Sequence, residues 1–287
     1  MAKILVTGAN GQLGSELREL ASSFPQHQFL FCTREEMDIT DEQSIQTVWA
    51  SFQPQYCINC AAYTAVDKAE TEVEAAFAGN ATAVKNIAAA CAAGGTRLIH
   101  ISTDYVFDGA GTQPYEEDHP TGPINVYGQS KLKGEQEALA ANPDVLIIRT
   151  SWVYSAYGNN FVKTMIRVMQ SRPEVRVVAD QQGCPTYAAD LAQAILQIVD
   201  SGKWQSGIYH YSNAGVTTWF DFAHYIKELI QADCSVQAIP TKAYPTPAKR
   251  PAYSVMDTRK ISQTFNIVPK PWKESLQVCI EKLKAKV

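Results

Sequence analysis

Residues 3–23 admit few folds. Lys3-Ile4-Leu5-Val6-Thr7 is a short apolar run of the kind that makes a buried strand, and it leads directly into Gly8-Ala9-Asn10-Gly11-Gln12-Leu13-Gly14. The residues that follow put Leu13, Leu17, Leu20 and Ala21 on one side of a helix and Ser15, Glu16, Arg18 and Glu19 on the other. A strand, a glycine turn and a helix in that order form a cradle for a dinucleotide pyrophosphate. Glycine permits positive φ in the turn, lets phosphates reach bare amides at the helix N-terminus, and lets helix and strand approach closely. The spacing is G-x-x-G-x-x-G rather than G-x-G-x-x-G, so a plain strand-to-helix turn is the competing reading; the flanking strand and helix weigh against it.

The same rhythm continues. Strand-like runs at 28–32, 56–61, 97–102 and 145–149 alternate with helical patterns at 12–23, 41–52, 72–93 and 124–141. This predicts an α/β fold, a Rossmann-type doubly wound parallel sheet with its ligand where the strand order reverses. Past Arg149 the pattern loosens into loops rich in Gly, Asn, Pro and Tyr, with strands expected at 175–179 and 207–212 and helices at 159–171, 188–200, 218–231 and 272–285. The expected organisation is an NAD(P)-binding domain over 1–150 and a smaller C-terminal substrate-binding lobe over 151–287. Pro240 to Pro251 reads as a stiff, ordered loop.

Composition narrows the partners. The 287 residues carry 25 basic and 29 acidic side chains, a net charge of -4, which gives no electrostatic case for nucleic acid or an anionic membrane. No run of apolar residues is long enough for a membrane span and no leader is evident, so the expected compartment is the cytoplasm. Seven cysteines, odd in number and scattered, read as reduced packed thiols. Cys57 and Cys60 form a C-x-x-C, but residues three apart on a strand point to opposite faces and no second pair completes a metal site.

Chemistry is expected at Tyr127 and Lys131, which a spacing of four places on one helix face. An ammonium about 4 Å from a phenol, at an effective dielectric of about 20, favours phenolate by ~4 kcal/mol, or ~3 pH units before desolvation. The expectation is a tyrosine able to exchange a proton near neutrality. Arg97 to Ser102 reads as another apolar strand, and Thr103 at its end would emerge beside the nicotinamide. The strand Phe29-Leu30-Phe31-Cys32 is followed by Thr33-Arg34 rather than by an acid that would bind the adenosine ribose. Arg34 is therefore expected to meet a 2′-phosphate, favouring NADPH with NADH also used.

With these motifs in place, the chain resembles the extended short-chain dehydrogenase/reductase superfamily, and within it the dTDP-4-dehydrorhamnose reductase family. The likeness runs through Ala61-Ala62-Tyr63-Thr64-Ala65-Val66-Asp67-Lys68, Ser102-Thr103-Asp104-Tyr105, Arg149-Thr150-Ser151-Trp152, Gly158-Asn159-Asn160-Phe161 and Tyr244 to Pro251. It implies reduction of the C4 ketone of a dTDP-6-deoxy-4-ketohexose, with Tyr127 as general acid, Lys131 on the nicotinamide ribose and Thr103 donating to the substrate oxygen. Asp38 and Ile39 are then implied as adenine contacts, and Ala61, Ala62 and Tyr63 as the wall against ribose and nicotinamide. The implied substrate contacts are Thr64, Asp67, Lys68, Asp104, Tyr105, Trp152, Asn160, Phe161 and Arg250, the last a donor fork for the diphosphate. The family is also associated with Mg2+, which would accompany the diphosphate or bridge the subunits of a homodimer, since no carboxylates cluster within one chain.

Three alternatives remain. A nucleotide-sugar dehydratase needs an Asp-Glu pair after the threonine, and here Asp104 is followed by Tyr105. A 4-epimerase uses the same catalytic set but holds its NAD, for which the acidic anchor is missing. A non-catalytic NADP-binding regulatory subunit would have no need of all three of Thr103, Tyr127 and Lys131.

Overall fold

A computed structural model describes residues 1–285; residues 286 and 287 of the expected C-terminal lobe lie outside the described residues. Strands β1 (Lys3–Thr7), β2 (Gln28–Cys32), β3 (Tyr56–Asn59), β4 (Arg97–Thr103) and β5 (Leu146–Thr150) alternate with helices. These are α1 (Gln12–Leu20), α2 (Glu42–Phe52), the short α3 (Val66–Ala69), α4 (Val73–Phe77), α5 (Ala83–Gly94) and α6 (Val126–Ala141). Then come β6 (Val153–Tyr154), α7 (Phe161–Ser171), β7 (Glu174–Val178), β8 (Gln182–Gly183), β9 (Thr186–Tyr187), α8 (Ala188–Asp200) and β10 (Gly207–His210). The chain continues through β11 (Thr217–Thr218), α9 (Trp219–Ile230), β12 (Ser235–Ile239), α10 (Arg259–Phe265) and α11 (Trp272–Lys284).

Six of the strands form one parallel sheet in the order β10-β5-β4-β3-β1-β2. Growth of the sheet reverses between β1 and β3, and the carboxyl ends there open the crevice in which such folds bind ligands. Both faces are covered, which is why the strands read as continuous apolar runs rather than alternating ones. Ile4, Val6, Ile58, Ile99 and Ile148 face Leu13 and Leu17 of α1 and Leu191, Ile195 and Ile198 of α8. Leu5, Cys57, Leu98 and Ile147 face Val84, Ile87, Ala88 and Cys91 of α5. Each such aliphatic side chain contributes about 1.5 to 3 kcal/mol on full burial.

Two elements expected in the C-terminal lobe return to this layer. Strand β10 pairs with β5 at the sheet edge, and α8 packs on α1, because its leucine and isoleucines recur at helical spacing and match the open sheet face. What stands apart is a separate core of α7, α9 and α11, built on Met165, Phe222, Trp272 and Leu276, with β7 and β12 paired beside it. β12 was not foreseen from the sequence, since Pro240 closes it within five residues.

The expected helix over 72–93 is interrupted. Residues Ala78–Thr82 form a π-helical segment around Gly79-Asn80. The extra residue in that turn buries Asn80, whose amide accepts from Tyr63 N at 2.8 Å and donates to Tyr63 O and Ser130 Oγ, both at 3.0 Å. It thereby joins the loop after β3 to helix α6. All seven cysteines are free thiols.

Candidate active site

A cavity of about 1630 Å³ lies along the carboxyl ends of the central strands. Gly8, Asn10, Gly11, Gln12, Leu13, Arg34, Asp38, Ile39, Ala61, Ala62 and Tyr63 line one stretch of it; Thr64, Thr103, Asp104, Tyr105, Tyr127, Lys131 and Trp152 line the other. Gly14 sits behind the wall, where the turn demands it: a Cβ there would lie 2.4 Å from Gly8 O, and one on Gly8, at φ +65, would lie 2.7 Å from Ala61 N. Asp67, Lys68, Asn160, Phe161 and Arg250 lie outside the cavity wall.

The first segment suits a dinucleotide. Helix α1 follows Gly11 with no side-chain cap and no acidic residue in its first turn, so its N-terminal amides are left for an anion. The Arg34 side chain is 83% exposed and stands 3.7 Å from Asp38 Oδ2. Glu36, in the same loop, is occupied by Thr33 N at 2.7 Å, and that hydrogen bond holds its carboxyl below the usual range. Arg34 is the cation on this wall; to bind a 2′-phosphate it would have to leave Asp38, with Glu35 also on the wall.

Helix α6 carries the proton chemistry. Asn125 caps it by accepting from Gly128 N at 2.8 Å and ties it to the Pro-rich loop by donating to Lys249 O at 2.8 Å. Tyr127 follows in the first turn, with the Tyr105 ring edge-on at 5.6 Å. Lys131 is buried, and its ammonium donates to Ile101 O at 2.7 Å. Burial pulls the Lys131 amine down to about 8, against the pull of Glu135 one turn on.

Here one expectation needs correcting. Burial pushes the Tyr127 phenol well above its ordinary value, Asp104 pushes it further, and only the Thr103 hydroxyl opposes them. Lys131 does not bring it towards neutrality, because the ammonium is directed at the strand carbonyl and desolvation outweighs a charge not aimed at the phenol. Tyr127 is thus held as a phenol, the protonated form that a general acid must present.

Beneath this set lies a network that no sequence motif announced. Arg149 donates to both oxygens of Glu135, at 2.9 and 2.7 Å, and Ser102 donates to Glu135 Oε1 at 2.5 Å. The pair is almost fully buried, so removing either partner would leave an uncompensated charge. The one available signal was local: a basic residue ending an apolar strand, and a glutamate four residues beyond Lys131 on the same helix.

The substrate side is aromatic. Trp152 adopts φ 47 and stacks on Trp219 at 3.6 Å. It fits there only because Gly183 has no Cβ, which would meet Trp152 Cε2 at 2.6 Å. A non-glycine residue in that conformation stores strain of the kind found at ligand sites. Asn160 caps α7 and donates to Gln12 Oε1 at 3.0 Å, so it braces the glycine turn from outside. Phe161 packs in the lobe core against Trp219 and Phe222. Arg250 forms an ion pair with Asp67 at 2.9 Å and donates to Ala248 O at 2.9 Å. Among the described residues no three His, Cys, Asp or Glu side chains converge on a metal position. The described residues thus form no magnesium position within the chain, and no chemistry is assigned to one.

A doubly wound sheet with a glycine turn and a Thr, Tyr and Lys set at its carboxyl edge defines a short-chain dehydrogenase/reductase. The family model described as RmlD substrate binding domain matches residues 2–285, and the chain belongs to that family. A dTDP-4-dehydrorhamnose reductase from Aggregatibacter actinomycetemcomitans is 42% identical, over 96% of this chain and 98% of its own. Among solved structures, the dTDP-4-dehydrorhamnose reductase of Clostridium acetobutylicum superposes with a TM-score of 0.94 at 40% identity, covering 98% of this chain and 99% of that one. The Bacillus anthracis enzyme of the same name, solved in complex with NADP, gives 0.93 at 39% identity, covering 98% and 99%.

Proposed function

We propose that this protein reduces the C4 ketone of dTDP-4-dehydro-L-rhamnose to dTDP-L-rhamnose, the last step in making that sugar nucleotide, with NADPH preferred and NADH accepted. The observation that carries this reading is the convergence of Thr103, Tyr127 and Lys131 on the cavity that the glycine turn opens, in a chain whose relatives are named for this reaction.

When bound, a reduced nicotinamide supplies the hydrogen and electron pair that end on C4. The protein's part is to place the ketone and manage the oxygen. Tyr127, half-buried and protonated, gives its phenolic proton to the oxygen as negative charge develops there. Thr103 lies beside it to align the same oxygen. Lys131, fixed on Ile101 O, would contact the cofactor ribose. Trp152 offers its face to the deoxysugar ring, and Thr64 and Tyr105 flank the sugar. We assign Arg250 to the diphosphate, which would have to replace Asp67 as its partner. Both reactants are nucleotides and the seven free thiols suit a reducing compartment, so we assign the enzyme to the cytoplasm.

A regulatory subunit and a 4-epimerase are the weaker readings. The test is loss of NADPH absorbance on adding dTDP-4-dehydro-L-rhamnose, with product identified by mass. Absence of any oxidation by the folded, NADPH-binding protein would overturn the proposal.

A further inference from the structure

Asp104 is 2% exposed, yet it lines the cavity between Thr103 and Tyr127. Its Oδ1 is 2.9 Å from Thr103 Oγ1, while its buried Oδ2 meets no donor at hydrogen-bond geometry, the Ser254 hydroxyl acting on the carboxyl more weakly than Thr103. A carboxylate can only accept. If Asp104 is ionised, the proton in the 2.9 Å contact must be that of the Thr103 hydroxyl, which has one proton and already accepts from Tyr105 N at 3.2 Å. Thr103 then has nothing to donate to a substrate oxygen. An Asp104 that carries its proton on Oδ1 reverses the contact: the acid donates to the remaining lone pair of Thr103, whose own proton can then turn into the cavity, where the Tyr127 oxygen also faces it.

We propose that Asp104 sets the direction of the Thr103 hydroxyl, withholding its proton as a carboxylate and releasing it towards the reacting oxygen as a carboxylic acid. Asp104 is thus a positioning residue that acts through Thr103, an inference that rests on the reductase reading. No covalent bond changes in this step; the carboxyl takes its proton from solvent and returns it there.

The surroundings shift the balance towards the neutral acid without making it dominant at neutral pH. Burial raises the Asp104 carboxyl to about 6, against hydrogen bonds from the Thr103 and Ser254 hydroxyls and from the backbone N–H groups of Asp104 and Tyr105. The other ionisable groups facing it are Tyr105 beside it, Tyr127 from α6 and Cys184 after β8, all raised and none titrating near that value. The charged Arg250 and Asp67 act on Tyr105, with opposite signs. Lys131 is directed at Ile101 O.

Two measurements decide the matter. In steady-state reduction with NADPH, kcat of the parent should fall as pH rises through about 6, by up to 10² as one oxyanion donor is lost. Asp104→Asn, whose amide can always donate, should lose that limb and stay flat; retention of the limb in Asp104→Asn would overturn the proposal. Independently of turnover, infrared difference spectra of parent minus Asp104→Asn should show a protonated-carboxyl band appearing as pH falls through about 6. In Thr103→Val the midpoint of that band should move upward, because the carboxylate has lost its donor. An unmoved midpoint means that Asp104 and Thr103 are not coupled, and it refutes the inference. If the parent turns over no ketone sugar at all, the reductase reading fails on its own, and the infrared titration still decides the coupling.

Discussion

Gly134→Ala is the sharpest test of how the site is held. Gly134 lies one turn beyond Lys131 on α6, and a Cβ there would sit 2.0 Å from Asn80 O in the π-helical segment. Real Cβ contacts do not fall below 3.0 Å, so the two helices must part by about 1 Å or Asn80 must leave its place. Either response reaches the site. Moving α6 shifts Tyr127 and Lys131; moving Asn80 breaks its hydrogen bonds to Tyr63 N and O, at 2.8 and 3.0 Å, and unseats the cofactor wall. A misplacement of about 1 Å costs on the order of 10² in rate, and overpacking costs about 1 to 3 kcal/mol in stability. The expected outcome is a kcat about 10² below the parent, together with a Tm lower by several degrees. The control is Gly202→Ala, where φ is +65 and nothing lies within 4 Å. That substitution should cost stability and leave turnover alone. Gly134→Ala turning over within twofold of the parent would refute the claim that the close approach of α6 to the π segment positions the catalytic pair.

Tyr127→Phe should leave NADPH binding, followed by fluorescence, unchanged and lower turnover by roughly 10² or more; near-parent activity would remove Tyr127 from the mechanism. Arg34→Ala should raise the KM for NADPH by about tenfold, the low end for a charge-assisted contact because the side chain is largely exposed, and hardly affect NADH. Equal effects on the two cofactors would make Arg34 a surface charge. Arg250→Ala should weaken dTDP binding in isothermal titration while NADPH affinity stays put, with Arg250→Lys only a partial rescue because a point charge lacks the planar fork. Undiminished dTDP affinity would confine Arg250 to its ion pair with Asp67.

Much was legible in the linear chain because the signals are local. The apolar runs of β1, β4 and β5, the glycine turn at 8–14 and the four-residue spacing of Tyr127 and Lys131 each concern neighbours within one or two turns, where hydrophobic period and backbone freedom dictate conformation. Such signals determine an α/β dinucleotide fold and the residue types at its mouth. What lay out of reach depends on partners far apart in sequence. That α8 and β10 return to the first sheet depends on which open edge and face remain to be covered, and no local period encodes that. The π segment at Asn80 answers to Gly134 and Tyr63. Charge states were the least readable of all. From spacing alone Lys131 promised to draw Tyr127 towards neutrality, but only the folded interior directs the ammonium at Ile101 O, desolvates the phenol, and sets Asp104 against Thr103 with one oxygen unpartnered. Sequence determined which groups are present at the site; burial, which tertiary packing alone creates, decided which of them are charged.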